Sequence, residues 1–80
     1  MTIGEYIREK RLDIGILQKE LAEKCDVSVQ TMNTIENDKS TPSVTTMRRI
    51  AQVLGVDYFV LRKILKEGVE PYGKNNQSST

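Results

Sequence analysis

Among the residues between positions 30 and 37 are Gln30, Asn33, Thr34 and Asn37, four side chains that both donate and accept hydrogen bonds. None is charged, and Met32 and Ile35 lie among them. In a helix, at about 100° per residue, the two apolar side chains define a buried direction. The four polar ones then fall within roughly 50° of the opposite direction. Val29 lies to one side at the helix start. A solvated helix face is ordinarily built from Lys and Glu, which favour helix more than Asn and Thr do. This stripe gives up some of that propensity for two-way hydrogen bonding. Glutamine and asparagine pair bidentately with N6 and N7 of adenine, and Thr or Val can touch the thymine methyl. The stripe therefore suits the reading of base edges in double-stranded DNA; the plainer alternative is a polar surface without a partner. With no Arg or Lys on this face the commonest guanine contact is missing, so A·T pairs are expected at the contacted positions.

Other chemistry finds little support. The chain has no histidine and a single cysteine, Cys25. One thiol makes neither an internal disulfide nor a metal set, and a small buried residue is its ordinary role. There is no Gly-rich phosphate loop and no nucleophile elbow, so no enzyme, no cofactor and no metal are expected. No apolar run approaches the roughly 20 residues of a membrane span. The start, MTIGEYIREKR, has no apolar signal core, so a cytoplasmic, nucleoid-associated protein is expected. Net charge is only +1: residues 1–40 carry six basic and eight acidic groups, residues 41–80 six and three. Phosphate contacts would then have to come from helix N-termini, amides and a few placed cations.

The elements that must position the stripe can be read from caps and periodicity. Thr2 with Glu5 predicts a capping box opening a helix over 2–13, with Ile3 and Ile7 on one face, Ile14 continuing it, and Gly15 as the stop. A second helix spans 17–25 with Leu21, Ala22 and Cys25 on one side. Ser28 caps a third over 29–37. A fourth over 43–54 carries Val44, Met47, Ile50, Ala51 and Leu54 at helical spacing and ends at Gly55. Asp57 caps a fifth over 57–66. Residues 1–67 form one all-α domain, and 68–80 a flexible polar tail with nothing to bury. Short helices with a three-to-four-residue turn between the second and third make a helix-turn-helix unit.

The segment LQKELAEKCDVSVQTMNTIENDKSTPSVTTMRRIAQVLGV closely resembles the phage-repressor helix-turn-helix family, of the Cro and lambda-repressor-like or XRE type. The likeness reaches upstream to IREKR and downstream to about Leu65. It rests on Gln-x-Glu-Leu-Ala, a Val-Ser turn, an Ile-Glu-Asn ending and a Pro-Ser helix start at the family's spacing. The resemblance implies a compact five-helix fold and a bacterial or phage regulator of transcription, a repressor, bound to DNA. It implies base contacts for Val29, Gln30, Asn33 and Thr34. Gln18 matches the glutamine that binds phosphate and braces the recognition helix. Ser28, Thr31, Asn37, Lys39, Ser40, Thr41 and Thr45 fall at or beside phosphate-contacting positions. Arg11 and Glu36 match a structural ion pair between the first and third helices.

Three positions depart from the family. Leu17 stands where Ser, Thr or Asn usually caps the second helix, a loss of about 1 kcal/mol. Asp26 and Asp38 replace glycines, which Asp survives because it tolerates the left-handed conformation. Both add negative charge near the expected DNA surface, and Asp38→Gly is expected to tighten binding.

The fifth helix has more apolar surface than one stripe needs: Tyr58, Phe59, Val60, Leu61, Ile64 and Leu65. A homodimer through Tyr58, Phe59, Leu61, Arg62 and Leu65 is expected, with recognition helices about 34 Å apart on a pseudo-palindromic site. An antitoxin-type protein, holding a small protein partner and regulating its own operon, is the alternative that the same surface leaves open.

Overall fold

Most helices begin at a residue whose side chain closes the first turn. The computed structural model describes residues 1–68, among which are five α-helices. Helix α1, Ile3–Ile14, follows Thr2, whose Oγ1 accepts from the Glu5 amide at 3.1 Å while Glu5 Oε1 accepts from the Thr2 amide at 2.9 Å. Ser28 accepts from the Thr31 amide ahead of α3, Val29–Glu36. Ser43 accepts from Thr46 ahead of α4, Val44–Leu54, and Asp57 from Phe59 ahead of α5, Tyr58–Glu67. Helix α2, Gln18–Lys24, is the exception. Leu17 has no acceptor to offer, and only Glu20 Oε1, taking the Leu17 amide at 2.8 Å, remains of a capping box.

The ends are equally specific. After α2, the Val27 amide donates to the Ala22 carbonyl and Asp26 to Glu23. After α3, Lys39 donates to Thr34 and Asp38 to Ile35. Both are Schellman closures, whose turning residue sits in the left-handed region. Here that residue is aspartate, at φ +60° in each case.

Helix α3 packs on α1 and α2, and α4 and α5 pack on each other and on α1. Ile7, Leu21, Cys25, Met32, Met47, Ile50 and Leu61 are fully buried where they meet. Burying each large apolar side chain contributes about 1.5–3 kcal/mol. Two positions expected in the core lie outside it: Ile14 is 47% exposed and Val44 51%. Each sits in a terminal turn of its helix. On α1 the inward seats go to Tyr6 and Arg11, and Ile16, past the turn, packs against the core. Gly4 marks a close approach: a Cβ there would lie 2.5 Å from the Glu36 carbonyl oxygen. Gly68 closes α5, and the rest of the expected tail lies outside the described residues.

Candidate nucleic-acid interface

The site is anchored from inside. Arg11 Nε donates to Glu36 Oε2 at 2.8 Å and an Nη of the same guanidinium donates to Oε1 at 3.1 Å, a two-point pair between α1 and the last turn of α3. The side chains are 10% and 2% exposed. Arg11 also donates to the Ile16 carbonyl at 3.0 Å, which fixes the turn ahead of α2. Two buried charges are thus satisfied by each other and by backbone, the condition under which such a pair is tolerated.

From Glu36 the network runs outward. Gln18 Nε2 donates to Glu36 Oε1 at 3.2 Å, and Gln18 Oε1 accepts from Asn33 Nδ2 at 3.4 Å. Asn37 Nδ2 donates to the Asn33 carbonyl at 2.9 Å and to Asn33 Oδ1 at 3.2 Å. Arg8 lines the same cavity of about 310 Å³ as Arg11, Gln18, Asn33, Glu36 and Asn37. Sequence reasoning passed over Arg8, although its place one turn before Arg11 was a usable signal.

Met32 and Ile35, at 0% and 2% exposure, hold α3 against the core, so the opposite face is open. Gln30 and Asn33 are exposed on it, and Val29 is 48% exposed at its start. Thr34 is half-buried; its hydroxyl donates to the Thr31 carbonyl at 2.8 Å and meets Ser40 Oγ at 2.8 Å. Ser28 and Thr31 share a hydrogen bond at the N-terminus of α3. Lys39, Thr41 and Thr45 are exposed, with no side-chain hydrogen bond joining them to the cluster among the described residues.

Asp38 has a role its sequence position did not disclose. Its Oδ2 accepts from the Thr2 hydroxyl at 2.6 Å and its Oδ1 from the Gly4 amide at 2.9 Å. The carboxylate therefore faces the N-terminus of α1, where negative charge is favoured, and ties that helix to the segment after α3. Asp38→Gly would remove this tie together with the charge, so a loss of stability would accompany any gain in binding.

On α5, Leu61 is fully buried in the chain's own core, which removes it from the expected dimer surface. Tyr58 is half-buried, with the Arg48 guanidinium 4.5 Å from its ring centroid and Arg62 donating to its hydroxyl at 3.4 Å. Leu65 is half-buried and Phe59 is 72% exposed, its ring edge-to-face with Tyr58 at 5.3 Å. Cys25 lies in the core, where burial pushes its thiol up from 9.0 to about 11 against a smaller opposing effect of Arg49. Among the described residues no helix is long and apolar enough to cross a membrane.

A helix followed by a tight turn and a second helix, its outer face open and amide-lined, defines a class. Comparison with known proteins gives it its family. The helix-turn-helix family model matches residues 7–61. An uncharacterised HTH-type transcriptional regulator of Methanothermobacter thermautotrophicus is 40% identical over 52 residues, 65% of this chain and 75% of that protein. The ImmF control region 10 kDa protein of Bacillus phage phi105 is 31% identical over 78 residues, 98% of this chain and 87% of that one. The immunity repressor protein of the same phage is 29% identical over 80 residues, 96% of this chain and 56% of its own length. The solved N-terminal DNA binding domain of SinR from Bacillus subtilis superimposes with a TM-score of 0.70 at 33% identity, over 75% of this chain and 88% of that one. The chain belongs to the helix-turn-helix family of phage-repressor (XRE) type, whose members are DNA-binding transcriptional regulators.

Proposed function

We propose that this chain is a sequence-specific repressor that binds a pseudo-palindromic operator as a homodimer, with α3 in the major groove. The observation that carries the reading is the open amide face of α3, held outward by Met32 and Ile35 and braced by Gln18. Val29, Gln30, Asn33 and Thr34 read base edges. Gln18, Ser28, Thr31, Asn37, Lys39, Ser40, Thr41 and Thr45 hold phosphates around them, together with the amides that open the helices. Tyr58, Phe59, Arg62 and Leu65 form the two-fold contact. The similar immunity repressor of phage phi105 supports repression as the outcome of binding.

Selection of bound sequences from a random DNA pool tests this directly. The expected result is an inverted repeat, its half-sites about 10 base pairs apart centre to centre, with A·T pairs at the contacted positions. A pool that yields no enriched site overturns it, and G·C at those positions overturns the A·T preference. Placed across a promoter, the selected site should lower a reporter's output when the protein is expressed.

A further inference from the structure

An asparagine amide presents a donor and an acceptor of nearly equal size, and rotation about its last torsion is broad and two-fold. Left alone, Asn33 would offer its nitrogen and oxygen in either order. Its two neighbours do not leave it alone. The Glu36 carboxylate only accepts, and Arg11 already donates to both its oxygens. The group of Gln18 facing it at 3.2 Å must therefore be the NH2, which turns Gln18 Oε1 toward Asn33. That oxygen in turn requires the NH2 of Asn33. On the other side, the carbonyl of Asn33 accepts from Asn37 at 2.9 Å, so the Asn37 group there is also an NH2. The same NH2 lies 3.2 Å from Asn33 Oδ1 and requires an oxygen in that place. Two independent chains, each ending in a group that can only accept, impose the same orientation on one exposed amide.

We propose that this relay locks the donor–acceptor order of Asn33, so that Asn33 distinguishes an A·T pair from the same pair turned round. Gln18, Asn37 and Glu36 are its positioning residues. The proposal rests on the DNA-binding reading above. Turning an A·T pair round reverses the order of the adenine N6 donor and the thymine O4 acceptor along the major-groove edge. An amide of fixed order placed across N6 and O4 matches one arrangement only, whereas a free amide there flips to match either. The lock uses one N–H of Asn33, and its second N–H stays available to a base.

The experiment compares the wild type with Gln18→Met/Asn37→Ala, and with Gln18→Met alone should the double variant fold poorly. Each is measured on the selected operator and on one with a single A·T pair inverted, at the position where Asn33→Ala abolishes discrimination. The wild type should prefer the original pair by about tenfold, and the variant by about twofold or less. Overall affinity falls for both sites, so the ratio is the readout, and a merely structural loss would leave that ratio unchanged. In the free protein, the NMR order parameter of the Asn33 side-chain NH2 should lie near the rigid range and drop below about 0.6 in the variant. An unchanged ratio in a folded variant, or an Asn33 amide equally mobile in both proteins, overturns the lock while leaving DNA binding intact. Absence of any selected site in the wild type overturns the DNA reading and the base-reading role with it.

Discussion

Arg11 and Glu36 are buried because each supplies what the other lacks, and the pair has no slack. Replacing Arg11 by Met strands a carboxylate whose side chain is 2% exposed, with only Gln18 left to donate to it. Breaking one side of such a pair costs about 3–5 kcal/mol, whereas removing both charges together costs much less. In urea unfolding, Arg11→Met should therefore be more damaging than Arg11→Met/Glu36→Leu. A loss below about 1 kcal/mol for the single change would mean that the pair behaves as an exposed one. Cys25 gives a second test at this scale. Burial favours its neutral thiol, so the folded value of about 11 stands above the ordinary 9.0. That contribution is fully present below pH 9.0 and is lost as pH rises through about 11. Stability should fall across that window in the wild type and fall less in Cys25→Ala. At pH 8 a thiol reagent should label Cys25 only through unfolding, about 100-fold or more slowly than in urea. Fast labelling of the native protein would contradict its place in the core.

The helices separate what a sequence discloses from what it hides. Caps and periodicity are local, so Thr2, Ser28 and Asp57 could be placed from their own neighbours, and helix ends fell within a residue of those expected. The outward stripe of α3 was legible for the same reason, since Met32 and Ile35 fix its direction. The Asp38 tie to Thr2 and Gly4 was not legible, because it spans 34 to 36 residues and depends on how α1 meets the turn after α3. Ile14 and Val44 failed in the same way: periodicity gives the angle of a side chain but not whether a neighbouring helix reaches that turn. The two aspartates make the distinction measurable. Both sit at φ +60°, a conformation glycine adopts without strain. The side chain of Asp26 is 88% exposed and its contact with Arg49 is long, at 3.8 Å. Asp26→Gly should therefore leave the protein as stable or stabilise it by up to about 1 kcal/mol, the left-handed strain relieved less the backbone freedom gained. Asp38→Gly relieves the same strain but loses two hydrogen bonds, and should destabilise by about 1 kcal/mol while raising amide exchange in the first turn of α1. Equal melting shifts for the two variants would show that the tie contributes nothing.

At the scale of the whole molecule the difficulty is charge, because a protein of net +1 does not attract DNA by its overall field. Binding must then come from placed contacts, and most of the proposed phosphate partners are neutral amides and hydroxyls. Lys39 and, at the edge of the amide cavity, Arg8 are the cations positioned to help. Two such charges per protomer would make four in the proposed dimer, and counterion release scales at about −0.9 per neutralised phosphate. The slope of log affinity against log salt should therefore be about −4 or shallower, and a slope of −8 or steeper would require cations beyond Lys39 and Arg8. With few phosphates neutralised per protomer, the proposed dimer would gain its affinity by engaging two half-sites at once. That places the burden on Phe59, the most exposed large apolar side chain of α5 at 72%. Phe59→Asp puts a charge where the two-fold contact would close, while leaving Leu61 and Ile64 in the core of each protomer. The melting temperature should move little. Affinity for a full operator should fall by about tenfold or more toward that for a half-site, which should hardly change. If full-site and half-site affinities stay as far apart as in the wild type, the subunits meet through some surface other than α5.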